Sequence, residues 1–418
     1  MSNEPNSRPA LAVFANLFPS PARPQAGGFI RERMFRVGRE LPVVVISPQA
    51  WFPFQGLIRR WRPHFRPSAP RHETQQGIEV YRPRFFSVPG VFKGLDGLFM
   101  ALGSWPTLRR LRRQGRVDII DAHFAYPDGY AATLLGRWLG LPVTITLRGT
   151  EVPLARTGRR GLMLDALRRA SRVFSVAQSL KDHVVGLGAE ADKIRVVGNG
   201  VATETFHPVA KDQARRDLEL PADAPVLVSV GGLTERKGFH RVIETLPALR
   251  QRFPGLRYLV VGAAGPEGDW RQRLAQQVAE LGLEECVHFL GAYPSDALKG
   301  PLSAADVFVL ATRNEGWANV FLEAMACGLP VVTTRVGGNP EVIAHEGLGT
   351  LVPFGDRAAL ETALAEALER DWDRGAIIDY ARDNAWDKRV AVLVDEFRAL
   401  SSGENGRTAV QAWGGGKL

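Results

Sequence analysis

Apolar residues fall in short consecutive runs, and between the runs they recur every three or four positions. In the first half the runs lie at 11–18, 42–48, 78–85, 117–124, 142–149, 172–177 and 194–200. Runs that are apolar at successive positions mark strands buried on both faces. Helical spacing between them, as at 128–139 and 161–170, supplies the layers that cover a parallel sheet. A polar, proline-containing stretch at 203–225 interrupts the rhythm and reads as a linker. Runs then resume at 226–232, 258–262, 287–291, 306–311, 330–335 and 349–353. The pattern predicts an α/β chain with two doubly wound domains in tandem. A ligand is expected in the cleft between them, at the carboxyl ends of the strands.

Composition narrows this reading. A chain of 418 residues exceeds the usual size of one core. With 45% hydrophobic and 23% charged residues it is neither a disordered nor a membrane-embedded sequence. Cys286 and Cys327 are the only cysteines, too few for a disulfide framework and without the close partners of a zinc site. Residues 1–10 lack the basic-then-apolar order of a leader, and the run at 11–18 is too short to span a bilayer. A cytoplasmic location is the resulting expectation.

The net charge of +9 is unevenly placed. Arg59, Arg60 and Arg62, then Arg109, Arg110, Arg112, Arg113 and Arg116, then Arg156, Arg159 and Arg160 all lie in the first half. A solvated surface accounts for such clusters, and so does a face that docks on anionic lipid at the inner side of the cytoplasmic membrane. Each Lys or Arg near such a leaflet contributes about 1 kcal/mol. No helix-turn-helix, zinc finger or aromatic RNA-binding strand is present, so nucleic acid is not an expected partner.

Three strand ends carry candidate chemistry. The run at 226–230 leads into Gly231-Gly232-Leu233-Thr234-Glu235-Arg236-Lys237-Gly238, with a helical pattern from Phe239. Glycines let backbone approach a ligand, and two cations at a helix start suit a diphosphate, although a tight turn with surface cations has the same sequence. The spacing is not that of a P-loop. The run at 306–311 leads into Asn314-Glu315-Gly316-Trp317-Ala318-Asn319-Val320-Phe321-Leu322-Glu323, and a helix is expected from Ala318 to Gly328. Glu315 then sits before the helix at the cleft rim and Glu323 within it. A carboxylate so placed can accept hydrogen bonds from sugar hydroxyls, and the amides from Gly316 to Asn319 can face an anion. The third strand end gives Gly337-Gly338-Asn339-Pro340-Glu341, with Asn339 expected as the helix cap.

At these residues the chain resembles glycosyltransferase family 4, the retaining group with the GT-B fold of two Rossmann-like doubly wound domains facing across a cleft. Glu315 to Glu323 matches its E-x7-E motif, continued by Cys327, Gly328 and Pro330. Gly338 and Glu341 fit its GG-x-PE segment, and Lys237-Gly238 its phosphate-binding KG. Asn199-Gly200-Val201, with Phe206 and Pro208, looks like the family's crossing segment. The resemblance implies an N-terminal acceptor-side domain, 1–205, to which a helix at 385–400 returns. It also implies a nucleotide-sugar domain at 206–384 and a tail at 401–418.

Roles follow by resemblance. Lys237 and Arg236 neutralise the donor pyrophosphate, Glu323 binds the ribose, and Glu315 contacts the transferred sugar. Gly232, Gly316, Trp317, Asn319 and Val320 line the donor site, and Gly27 and Gly28 match a glycine loop that closes on the phosphates. The co-substrate is a UDP- or GDP-linked sugar with no metal or other cofactor, and the acceptor is a glycan or lipid-linked hydroxyl. The one D-x-D pair, Asp371 and Asp373, reads as surface. Two positions depart from the pattern: Gly232 stands where an Arg is common, and Arg148, in Arg148-Gly149-Thr150-Glu151, where a His is common. His123 is the replacement candidate, with Arg148, Glu151 and Asn199 on the acceptor side. The N-terminal half looks like bacterial enzymes of extracellular, capsular or other cell-surface polysaccharide assembly. A non-catalytic GT-B homologue, or a glycogen-synthase-like enzyme or epimerase, are the alternatives.

Overall fold

The computed structural model describes residues 8–402 apart from 25, 62–64 and 266. Two compact units divide the chain. Unit 1 runs to Asn199 and resumes at Arg389, and unit 2 is Gly200–Lys388. The sequence reading places those boundaries at 205/206 and 384/385, and the tail it assigns lies, beyond Ser402, outside the described residues.

The strands, in chain order, are β1 (Leu11–Phe14), β2 (Val43–Ile46), β3 (Gln49–Trp51), β4 (His72–Gln75), β5 (Ile78–Tyr81), β6 (Arg84–Phe86), β7 (Ile119–His123), β8 (Val143–Leu147), β9 (Arg172–Ser175) and β10 (Ile194–Val196) in unit 1. Unit 2 holds β11 (Val226–Val230), β12 (Arg257–Val261), β13 (Val287–Gly291), β14 (Val307–Leu310), β15 (Val331–Thr334) and β16 (Gly349–Val352).

Unit 1 is built on an eight-stranded sheet in the order β10-β9-β8-β7-β1-β2-β5-β4, parallel except where β4 runs against β5. Every residue of β1, β7 and β8 is buried, as strands covered on both faces require. The apolar run at 78–85 is not one strand. Pro83, which has no N–H for a ladder, separates β5 from β6, and β6 pairs instead with β3 in a separate parallel ribbon. From Arg389 the last helix (Trp386–Ser402) belongs to this unit. Its Phe397 meets Phe174 of β9 edge to face at 5.8 Å, and Glu396 forms an ion pair with Arg172 Nε at 2.9 Å and accepts from Arg195.

Unit 2 is a six-stranded parallel sheet in the order β13-β12-β11-β14-β15-β16. The order reverses direction beside β11 and β14, the place where a doubly wound sheet leaves a crevice at its carboxyl edge. Phe308 of β14 and Phe321 of the helix Asn319–Ala326 are both fully buried and meet edge to face at 5.8 Å. Removing either ring would cost about 3–5 kcal/mol. That contact seats the helix under its own preceding strand and thereby fixes the loop from Thr312 to Ala318.

Candidate functional site

In unit 2 the loop after β11 turns at Gly231 and Gly232, forms a single turn at Glu235–Lys237, and enters the helix Phe239–Arg252 through Gly238. Gly238 has φ 77°, and a Cβ there would lie 1.9 Å from the Ala311 carbonyl oxygen, so only glycine fits. This close approach brings the Arg236-Lys237 turn against the end of β14. The aliphatic part of Lys237 lies over Gly231, and its Nζ reaches Glu315 Oε1 at 2.6 Å. Arg236 Nη1 donates to the same oxygen at 3.1 Å and to the Asn314 carbonyl at 2.9 Å, while its Nε pairs with Glu267 at 2.7 Å. Thr312 Oγ1 donates to Glu315 Oε1 at 3.1 Å.

The sequence reading puts Glu315 in the loop before the helix, at the cleft rim, and there the structure buries it to 9% exposure beneath the two cations. Burial pushes its carboxyl upward, yet Lys237 and Arg236 outweigh that and hold it below the usual carboxylate range. Burial is the largest single effect on Glu315, but two opposite charges at hydrogen-bond distance together outweigh it. Burial likewise opposes the Arg236 charge, and Glu315 and Glu267 reverse the sign and raise its pKa. Three residues from two strand ends thus form one ionic cluster of fixed geometry.

The third strand end closes on the same point. Gly338 N donates to the Glu315 carbonyl at 3.1 Å, and a Cβ on Gly337, at φ 50°, would lie 1.9 Å from that oxygen. Asn339 does not cap the following helix as expected. It is the first residue of that helix, Asn339–Val342, and is fully buried. Its amide donates to the Thr334 carbonyl at 2.9 Å and to Thr333 Oγ1 at 3.3 Å, tying the turn to β15.

The other donor-side candidates are less tightly gathered. The helix begins at Asn319, one residue later than expected, with Ala318 extended as its cap. Gly316, Trp317, Asn319, Val320 and Glu323 are half-buried, and Trp317 Nε1 is buried with no hydrogen-bond partner. Glu323 lies on the second turn of the helix, where its charge bears on the Cys327 thiol. Gly232 approaches Gly265, whose Cα would be 3.3 Å from an added Cβ. Asp373 caps the helix Arg374–Asp383 by accepting from Ala376 N at 2.9 Å, and Asp371 is exposed.

In unit 1 the acceptor-side candidates converge around buried polar ends of β7 and β8. Arg148 donates through Nη1 to Asn199 Oδ1 at 2.9 Å and through Nη2 to His123 Nδ1 at 3.1 Å, and lies over the Phe29 ring at 4.9 Å. A guanidinium has no acceptor, so Nδ1 must be the lone-pair nitrogen and His123 is neutral. Burial lowers the imidazole to about 4, the Asp121 charge opposing and those of Arg148 and Arg33 assisting. Glu151 is fully buried and accepts from the backbone of Gly149 at 2.8 Å, Ala125 at 3.1 Å and Arg148 at 3.2 Å. That carboxylate builds the turn and has little left for a ligand. Gly27 starts the helix Gly28–Glu40 at φ 71°, and a Cβ there would meet the Leu17 carbonyl oxygen at 2.2 Å; Gly28 is open.

Two residues escape sequence reading. Arg33 is fully buried, with both terminal nitrogens unpartnered; burial lowers it to about 10, the Asp121 charge opposing. Asp128 is 1% exposed, accepts from Asn16 N at 2.5 Å through Oδ1, and keeps Oδ2 unpartnered. Burial raises it to about 7. Neither burial is visible in a sequence, although a charged residue amid helical apolar spacing is the signal available.

Comparison with known proteins bears on the family of the chain. The glycosyltransferase family 4 model matches residues 55–205, and the glycosyl transferases group 1 model matches residues 210–384. A D-inositol 3-phosphate glycosyltransferase of Saccharomonospora viridis is 32% identical over 68% of this chain and 70% of its own. The putative teichuronic acid biosynthesis glycosyltransferase TuaC of Bacillus subtilis is 27% identical over 90% of each chain. Among solved structures, Anabaena HepE in complex with UDP covers 93% of this chain and all of its own at a TM-score of 0.71 and 20% identity. Two parallel α/β units, the cation–carboxylate cluster and these matches together make the chain a glycosyltransferase of family 4, with the GT-B fold.

Proposed function

We propose that this enzyme is a retaining glycosyltransferase that moves a sugar from a nucleoside-diphosphate sugar to a hydroxyl acceptor in the assembly of a bacterial cell-surface polysaccharide. The observation that carries the reading is the Lys237–Glu315–Arg236 cluster at the carboxyl edge of the unit 2 sheet. Departure of a nucleoside diphosphate builds negative charge, and cations already held in place stabilise it without reorganising. Loss of one such interaction raises a barrier by about 2.7–4 kcal/mol. All three donors to Glu315 meet Oε1, so Oε2 is left to accept from a sugar hydroxyl. Trp317 Nε1 is a further donor for the donor substrate, and Glu323 and the amides near Asn319 complete the nucleotide side. The acceptor hydroxyl attacks on the face from which the diphosphate leaves, and its proton passes to that diphosphate. No metal enters this scheme.

TuaC, the amylovoran enzyme AmsK of Erwinia amylovora and the colanic acid enzyme WcaL of Escherichia coli carry names of polysaccharide assembly, which supports the pathway class. Incubation with a panel of UDP- and GDP-sugars tests the reading, with the product anomer compared with that of the donor by NMR. A product of inverted configuration, or turnover of no donor, would overturn it.

Peripheral docking on an anionic membrane is part of the same proposal. The basic clusters alone are a weak basis, since Arg112 pairs with Asp118 and Arg116 with Glu79. The stronger support is that Phe54, Trp61 and Phe92 are 81, 86 and 68% exposed in segments that also carry Arg59, Arg60 and Lys93. Apolar rings beside cations are the composition of a membrane-interface surface. Sedimentation with anionic liposomes should show salt-sensitive binding that a Phe54→Ser/Trp61→Ser variant loses; equal binding by both proteins counts against it. No helix among the described residues is long and apolar enough to cross a membrane.

A further inference from the structure

Unit 1 contains a cavity of about 230 Å³ beyond the ends of β1 and β2, walled by the β3–β6 ribbon and the helix Gln55–Trp61. Six arginines line it, Arg23, Arg59, Arg66, Arg71, Arg82 and Arg84, and no aspartate or glutamate does. Three of the six are engaged elsewhere. Arg82 pairs with Glu73 at 2.6 Å and donates to the Pro19 carbonyl at 2.9 Å. Arg59 donates to the Arg66 carbonyl at 2.6 Å, and Arg66 to that of Ser87 at 2.6 Å. The guanidinium groups of Arg23, Arg71 and Arg84 have no hydrogen-bond or ion-pair partner among the described residues. Gln55, on the same wall, is only 7% exposed, and its Oε1 is buried without a partner.

Cations gathered round one space with no carboxylate among them repel each other, and a bound anion removes that repulsion. Burial lowers the Arg66 pKa, with the Arg23 charge acting the same way and Asp96 opposing. A buried amide without a partner is equally uncommon and marks a place where a ligand group can complete it. Its oxygen and nitrogen exchange by a flip, so Gln55 can accept from a hydroxyl or donate to an oxyanion.

We propose that this pocket binds a phosphoryl group and, on the glycosyltransferase reading above, holds the phosphate or diphosphate ester of the acceptor. A carboxylate has one charge and two oxygens, which a single guanidinium fork satisfies. Three unengaged guanidinium groups round one cavity suit a ligand with several oxygens and more than one charge. The arginines of the pocket come from sequence positions 23 to 84 and share no motif, so the residue string alone does not reveal them.

Calorimetric titration of the full chain with sodium pyrophosphate tests the assignment. Wild-type protein should show two sites, one lost in Arg23→Gln/Arg71→Gln/Arg84→Gln and the other in Lys237→Ala. The three arginines are exposed, so the triple variant should retain the wild-type circular dichroism. Weakening of one site by at least tenfold in the triple variant supports the proposal, and superimposed isotherms overturn it. Displacement of pyrophosphate by D-glucuronate at equal concentration would also overturn it, by making the pocket a general carboxylate site. Geranyl diphosphate binding as tightly as pyrophosphate locates the source in a soluble or lipid ester. Anionic phosphatidylglycerol vesicles competing for the same site, with geranyl diphosphate failing to, would assign the pocket to the membrane surface and overturn the acceptor role. The underlying enzyme reading fails separately, through absence of donor turnover, with the pyrophosphate count unchanged.

Discussion

Glu315→Gln removes one negative charge and leaves the shape of the side chain nearly intact. In the native cluster Glu315 Oε1 accepts from Lys237 at 2.6 Å, from Arg236 at 3.1 Å and from Thr312 at 3.1 Å. A glutamine oxygen can accept from the same three groups, but the two ionic bonds become cation–dipole bonds. A hydrogen bond to a charged group contributes about 1.5–3 kcal/mol against about 1 for a neutral one. Arg236 keeps Glu267 at 2.7 Å, which limits the loss on its side, so the expected cost is about 2 kcal/mol. For a unit of this size that is a fall in melting temperature of roughly 4–8 °C. The pH dependence carries the sign. The folded pKa of Glu315 is below its ordinary 4.5, because Lys237 and Arg236 prevail over burial. Its stabilisation is therefore present above pH 4.5 and is lost as the pH falls through the lower folded value. Urea unfolding of wild type and variant from pH 7 into acid should show the gap at neutrality closing as the pH drops. In parallel, kcat/KM for donor turnover should fall by more than the folded fraction explains, roughly 100-fold if one transition-state contact is lost. Equal stability at pH 7, or a gap independent of pH, would refute the account of the cluster.

Asp128→Asn should behave in the opposite direction. The native carboxyl is raised from 3.8 to about 7 by burial, so the folded state holds an extra proton between those values and wild-type stability declines as pH rises through them. The amide keeps the bond to Asn16 without the buried charge, and the variant should gain up to roughly 4 kcal/mol at pH 8 relative to pH 3; identical unfolding differences at both values would contradict this. Arg148→Ala removes the donor to His123 Nδ1 and a nearby positive charge, so the imidazole titration should move up from about 4 in NMR spectra, and an unmoved value would show that Arg148 does not govern it. Gly238→Ala places a Cβ 1.9 Å from the Ala311 carbonyl oxygen and should lower the melting temperature and donor turnover together; normal turnover would mean the loop need not approach β14 so closely.

Much of this architecture is legible in the residue string, for physical reasons. Strands buried on both faces must be apolar at successive positions, so β1, β7, β8, β11 and β14 stand out. The meeting of Lys237 with Glu315 follows from β11 and β14 lying side by side in the sheet, a pairing that their order along the chain does not reveal. Burial depends on packing from distant segments, and there the string is silent. Asp128 and Arg33 look like ordinary charged residues, and Glu315 looks exposed. The ribbon of β3 and β6 is three residues long in each strand, too short to show a period. Arginine density also misleads: Arg112 and Arg116 lie in one dense cluster yet are paired with acids, whereas Arg23, Arg71 and Arg84 are scattered yet share one cavity.

In the proposed mechanism Lys237, held by Glu315, stabilises the charge that develops on a departing nucleoside diphosphate. The most direct test of that role is donor turnover by Lys237→Ala, measured with whichever UDP- or GDP-sugar the wild type uses and alongside a melting curve. The variant should stay folded while its kcat falls about 100-fold or more, the size of one lost transition-state contact. Wild-type kcat in the folded variant would contradict it.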